Sequence, residues 1–122
     1  MNLWLIASGL LAAACTAGHA FAGRSMFYEP IASRLTDPSQ ATIFSGMWHL
    51  ITVNFALSAA ALLAAGILGS PGFVGLLVAA QFLGYAAIYL VLSLRLGGPW
   101  KLFQWVLFTG TGLLAAIGTV TA

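Results

Sequence analysis

Hydrophobic positions fall in four long runs, roughly residues 2–22, 47–68, 71–96 and 100–120, separated by polar or glycine- and proline-rich breaks. Each run is close to the about 20 residues a helix needs to cross a bilayer. Continuous apolarity over such lengths predicts helices, because in lipid every backbone N–H and C=O must find its partner within the segment. A barrel would need shorter segments with period-two alternation, and none is visible. The breaks carry helix punctuation. Asp37, Pro38 and Gln40 fit an N-cap, a proline at the first helical position and a capping-box partner at the third. The second helix is therefore predicted to begin near Pro38, ahead of its lipid-buried part. "LGSPG" ends that helix at Gly69 and starts the next with Ser70 as N-cap and Pro71 as its first residue. Gly97, Gly98 and Pro99 make the last break. Short turns make successive helices antiparallel neighbours. The pattern predicts an all-α integral membrane protein, an up-down four-helix transmembrane bundle forming one domain over residues 1–122.

The connection over residues 23–46 is longer than a turn requires. Pro30 following Glu29 predicts a short helix through Leu35. Met26, Phe27, Ile31 and Leu35 would form its apolar side, with Arg24, Glu29 and Arg34 reaching water or phosphates, so this helix is expected to lie on the membrane interface between spans one and two. The first run imitates a cleaved signal peptide, since "AFA" precedes Gly23, but the positive n-region that such a peptide needs is missing.

Composition agrees with lipid as the main solvent. Hydrophobic residues make up 61% of the chain and charged residues 5%, against about 25% charged in soluble domains; mean hydropathy is +1.04. The net charge of +2 rests on four cations, too few for a nucleic-acid footprint. Those four are placed unevenly: Arg24 and Arg34 in the first connection, Arg95 and Lys101 around the third. The positive-inside rule then puts these connections in the cytoplasm and both termini outside it, as expected for a bacterial inner membrane. The same cations form a basic rim suited to lipid headgroups or to a phosphorylated ligand. Trp48, Trp100, Trp105 and Tyr28 fall near that boundary and Trp4 near the opposite one, as an aromatic belt would.

Small residues recur at helical spacing: Ser8, Ala12, Cys15 and His19 in the first helix; Ser45, His49, Thr52, Ala56 and Ala60 in the second; Ala80 and Gly84 in the third; Thr111, Ala115 and Gly118 in the fourth. Such stripes let backbones approach closely, and are expected to form the bundle interior; a permeation path is the functional alternative. Asn54, Gln81 and Tyr85 lie within spans, where unpaired polar groups are costly, and an interhelical polar clamp is expected of them. No Asp, Glu, Lys or Arg lies deep in a span, which argues against an ion-coupled antiporter.

Motifs for catalysis are absent: no phosphate loop, no zinc-spaced cysteine pair, no HExxH and no nucleophile elbow. Cys15 is a single cysteine. Four function classes remain, the last and least expected being an enzyme at the cytoplasmic interface. The first is a non-enzymatic membrane protein acting through helix packing, as an accessory or assembly subunit of other membrane chains or as a small homo-oligomer. The second binds haem or a transition metal through His19 and His49, which antiparallel packing would place at similar depth, with Cys15 and Thr52 on the same stripes as further candidate ligand contacts. The third conducts a neutral, apolar or lipid molecule. The structural alternative for both histidines is ordinary hydrogen bonding near an interface.

Overall fold

The first apolar run opens on Asn2, whose side-chain oxygen accepts the Leu5 N–H at 3.2 Å, so α1 (Leu3–Ala17) starts with an otherwise orphaned amide satisfied. The computed structural model describes residues 1–70 and 72–121 and is all-helical, with no strand among them. α1 does not end at the expected break near Gly23. Gly18 and Gly23 both stay in the right-handed helical region, and the chain continues through two π-helical segments, Gly18–Ala22 and Arg24–Tyr28, into α2 (Glu29–Ala32). In these segments the Gly23 N–H bonds the Gly18 carbonyl and the Glu29 N–H the Arg24 carbonyl, five residues back rather than four. Pro30 lies within the first turn of α2, where its missing N–H costs least.

Asp37 caps α3 (Pro38–Leu68), its carboxylate accepting the Ser39 N–H at 2.8 Å. α3 closes on Gly69 at φ 65°, with the Ser70 N–H returning to the Ala65 carbonyl, a Schellman-type turn that needs the left-handed residue. α4 (Gly72–Arg95) follows; the expected helix-opening role of Pro71 lies outside the described residues. α5 (Gln104–Val120) begins four residues later than residue 100. The reason is a polar knot around Ser93. Its hydroxyl donates to the Gly98 carbonyl at 2.7 Å and accepts the Leu102 N–H at 3.0 Å, while Trp105 Nε1 donates to the Pro99 carbonyl at 2.7 Å. These bonds hold residues 97–103 as turns.

Three helical stretches are long and apolar enough to cross a membrane: Leu3–Ala22, Pro38–Leu68 and Gly72–Arg95. α5 is apolar but has 17 residues, about 26 Å at 1.5 Å each. α1 packs between α3 and α5, and α4 packs on α5; α3 and α4, although joined by the tight turn, share only a narrow seam.

The glycines of this packing mark where backbones touch. A side chain at Gly66 would sit 2.9 Å from the Ile6 nitrogen, and one at Gly118 would sit 3.0 Å from the Leu5 nitrogen. The core between them is Leu5, Ala12, Leu62 and Ala115, with Ser8 buried and donating to the Thr111 carbonyl at 2.7 Å. Toward the other end Phe55, Phe82 and Phe108 meet with ring centroids 5.5–5.9 Å apart.

The small-residue stripes divide. Ser8, Ala12 and Cys15 of α1 and Thr111, Ala115 and Gly118 of α5 are interior. On α4, Ala80 and Gly84 are exposed, and Gly75, Val78, Ala79, Phe82 and Ala86 face inward. On α3, Ala56 and Ala60 are exposed, Ser45 and Thr52 half-buried, and Phe55, Ser58, Ala59 and Leu62 form the interior face. Burying Phe55 and Phe82 removes far more apolar surface than burying alanine or glycine, so the aromatic faces turn inward and carry the small stripes out.

Candidate functional site

Two places gather polar side chains. The first is the α3–α4 seam. Asn54 Nδ2 donates to the Tyr85 hydroxyl at 2.9 Å; Gln81 Nε2 donates to Asn54 Oδ1 at 2.8 Å and to Ser58 Oγ at 3.1 Å. Ser58, one turn from Asn54, in turn donates to the Asn54 carbonyl at 2.9 Å. The Tyr85 ring rests on Phe55, Phe82 and Phe108, which fixes where its hydroxyl emerges. The network is not enclosed. Asn54 is exposed, and Gln81 and Tyr85 are half-buried, amid the exposed apolar residues Val53, Leu57, Leu77 and Ile88. Gln81 Oε1 and the second Asn54 amide hydrogen have no partner among the described residues.

The second lies where the π-helical segments cross α3. The His19 ring stacks on Trp48 with centroids 4.0 Å apart and meets Phe55 edge-on at 5.7 Å; its Nε2–H donates to the Trp48 carbonyl at 3.3 Å. That bond holds the proton on Nε2 and leaves Nδ1 as an acceptor. Tyr28 stacks on Phe44 at 5.4 Å, touches Trp48 and donates to Ser45 Oγ at 3.1 Å. His49, one residue on and about 100° round the helix from Trp48, is exposed and lines a cleft with Arg24 and Thr52. Thr52 spends its hydroxyl proton on the Trp48 carbonyl at 3.1 Å. Cys15 is buried one turn before His19.

The structure therefore brings Asn54, Gln81 and Tyr85 together, and separates the duties of the two histidines: His19 is taken up by Trp48, His49 faces the cleft. Among the described residues no group of three or more His, Cys, Asp or Glu side chains could hold a metal ion. Arg24, Arg34, Arg95 and Lys101 are all exposed; Arg24 Nε pairs with Glu29 at 3.1 Å. Ser58, Ser93 and Gln104 were not singled out by sequence. The position of Ser58 one turn after Asn54 carried a signal, whereas nothing in the sequence marked Ser93 as the tie of the last connection, or Gln104, whose Oε1 is buried without a partner. No protein-family model matches the chain, and comparison with curated proteins and with solved structures gave no match.

Proposed function

We propose that this chain is a non-enzymatic integral membrane protein that works by helix association, the α3–α4 seam being the face it presents to another transmembrane helix, in a homo-oligomer or in an assembly with other membrane chains. In this reading the four apolar helices run up and down through a bacterial inner membrane, residues 24–35 lie at its cytoplasmic boundary, and both termini are outside the cytoplasm. The apolar lengths and the crowding of all four cations into two connections support that placement.

The observation that carries the association is the open Asn54–Gln81–Tyr85 network. Water would satisfy its spare donor and acceptor at a soluble surface; hydrocarbon does not, so the groups favour a neighbouring helix that can. The adjoining surface suits close approach, because Ala80 is small and a side chain at Gly84 would meet nothing within 4 Å.

The test is disulfide trapping in native membranes, in a Cys15→Ser background, with Ala80→Cys or Gly84→Cys. A dimer-sized adduct identifies a second copy, and a heavier one identifies a different chain. If both thiols form no adduct and instead react freely with a lipid-soluble maleimide, the seam faces lipid and the proposal fails. Orientation has a separate test: a reporter active only in the cytoplasm should be silent after Ala122 and active when inserted near Ser33.

A further inference from the structure

The cleft beside His49 has a chemistry that helix association does not use. It holds about 220 Å³ and is lined by Ala20, Arg24, Tyr28, Trp48, His49 and Thr52. Its two hydroxyls have already donated, Tyr28 to Ser45 and Thr52 to the Trp48 carbonyl, so neither offers a proton to a ligand. The side-chain donors left are those of Arg24 and His49 and the Trp48 indole N–H, which has no hydrogen-bond partner among the described residues. Arg24 engages Glu29 through Nε alone, which leaves the four N–H groups of its two terminal nitrogens, and His49 has no hydrogen-bond partner among the described residues. Glu29 does not line the cleft. A space whose free groups are a guanidinium fork, an imidazole N–H and an indole N–H, with the rings of Trp48 and Tyr28 in its lining, is complementary to an anion carried on an apolar body.

Depth points the same way, given the membrane placement proposed above. The nineteen residues from Leu50 to Leu68 span about 28 Å at 1.5 Å each, close to the hydrocarbon thickness of about 30 Å. His49 then stands at the top of the hydrocarbon, where the phosphates of lipids lie. The volume is below the roughly 300–1,000 Å³ of pockets that enclose a whole drug-sized molecule, so it suits a headgroup whose chains remain outside. Basic recesses between membrane helices are known to take anionic headgroups.

We infer that this cleft binds a phosphate-bearing anion at the membrane boundary, its oxygens on Arg24 and His49 and its carbon body against Trp48 and Tyr28. Two sources share that chemistry, the headgroup of an anionic phospholipid and free phosphate, and two measurements separate them. Nanodiscs of equal phosphatidylglycerol and phosphatidylcholine, examined by native mass spectrometry, report which lipid stays on the protein. Calorimetric titration of lipid-free protein in neutral detergent with inorganic phosphate reports the free ion.

Phosphatidylglycerol should be retained over phosphatidylcholine, and Arg24→Gln or His49→Gln should each lower that preference about tenfold, the scale of one charge-assisted hydrogen bond. Ala20→Phe keeps both donors, fills the space and should have the same effect. Arg95→Gln removes an equal charge elsewhere and should have little. Phosphate binding that needs Arg24 and His49, without any lipid preference, assigns the site to the free ion. Equal retention of both lipids with no phosphate binding overturns the inference. So does a loss on Arg95→Gln as large as on Arg24→Gln, since binding would then be diffuse attraction. All four variants change exposed or half-buried positions, and unchanged circular dichroism separates lost binding from lost folding. The seam thiols of the association test are untouched here, so either proposal can fail alone.

Discussion

The first helix is packed in two ways along its length. At its start, Leu5 and Ile6 lie against Gly118 and Gly66 with main chains so close that no β-carbon fits between them. Beyond Ala17 the same helix stands off from α3 on a layer of rings, His19 on Trp48 and Tyr28 on Phe44 and Trp48, and a cleft remains. Small residues give contact between backbones, which excludes lipid and leaves no room for a ligand. Rings hold the helices apart while still filling most of the gap, and what they fail to fill is lined with polar edges. Close backbone packing and a polar recess are thus placed at opposite ends of one element.

The comparison can be broken most severely at the glycine end. Gly66→Leu or Gly118→Leu should cost about 3 kcal/mol, the upper range for overpacking, because the obstructing atoms include backbone nitrogens that cannot rotate away. Thermal unfolding in detergent followed by circular dichroism measures this. Gly84→Leu, on the open face of α4, should leave the melting curve of the dissociated monomer nearly unchanged; a loss there comparable to that of Gly66→Leu would mean that α4 is turned the other way. A middle-sized effect is expected at the seam, where Asn54→Leu removes the two side-chain bonds that cross from α3 to α4 and should cost about 1 kcal/mol, since hydrogen bonds between membrane helices average about 0.6. Stabilisation of the monomer by that substitution, with the disulfide adducts lost, would show that the amides serve association alone. The smallest effect belongs to the ring end. Tyr28→Phe keeps the stacking on Phe44 and deletes one half-buried bond to Ser45, so about 0.5 kcal/mol is expected. A larger drop would mean that the ring layer, and not the glycine contacts, holds α1 to α3.

Local chemistry was legible in the sequence. Asp37 and Pro38 start a helix, and Gly69 ends one, because a capping carboxylate, a fixed φ and a left-handed turn act within a few residues of themselves. The chemistry of Asn54, Gln81 and Tyr85 was legible too, as polar groups in apolar runs that require partners. The facing of the helices was less so. Ala80 and Gly84 have the spacing of an interior stripe, but where several helices meet, the rings of Phe55, Phe82 and Phe108 compete for the same interior, and that contest is invisible along any one helix. The start of α5 was hidden for a similar reason, since the bond from Leu102 to Ser93 joins positions that no local pattern relates. So was the continuity of the first helix, where two glycines that could have broken it remain helical.

A π-turn is an insertion that a helix has absorbed, one residue more than the α-helical count with the phase kept on either side. The positions of the first helix that meet Trp48 run His19, Gly23, Tyr28, whereas strict α-helical spacing would bring Met26 to that face. Met26 and Phe27 are instead turned outward, 63% and 40% exposed. Such a helix carries its own spare length. Deleting Phe21, and with it Phe27, should let both widened turns close to ordinary α-helix while Tyr28 keeps its bond to Ser45, whereas the same two deletions made at Leu10 and Ala13 would rotate every later contact of the helix away from α3. This chain is accordingly expected to tolerate shortening where it looks most irregular, and to resist it where it looks most regular.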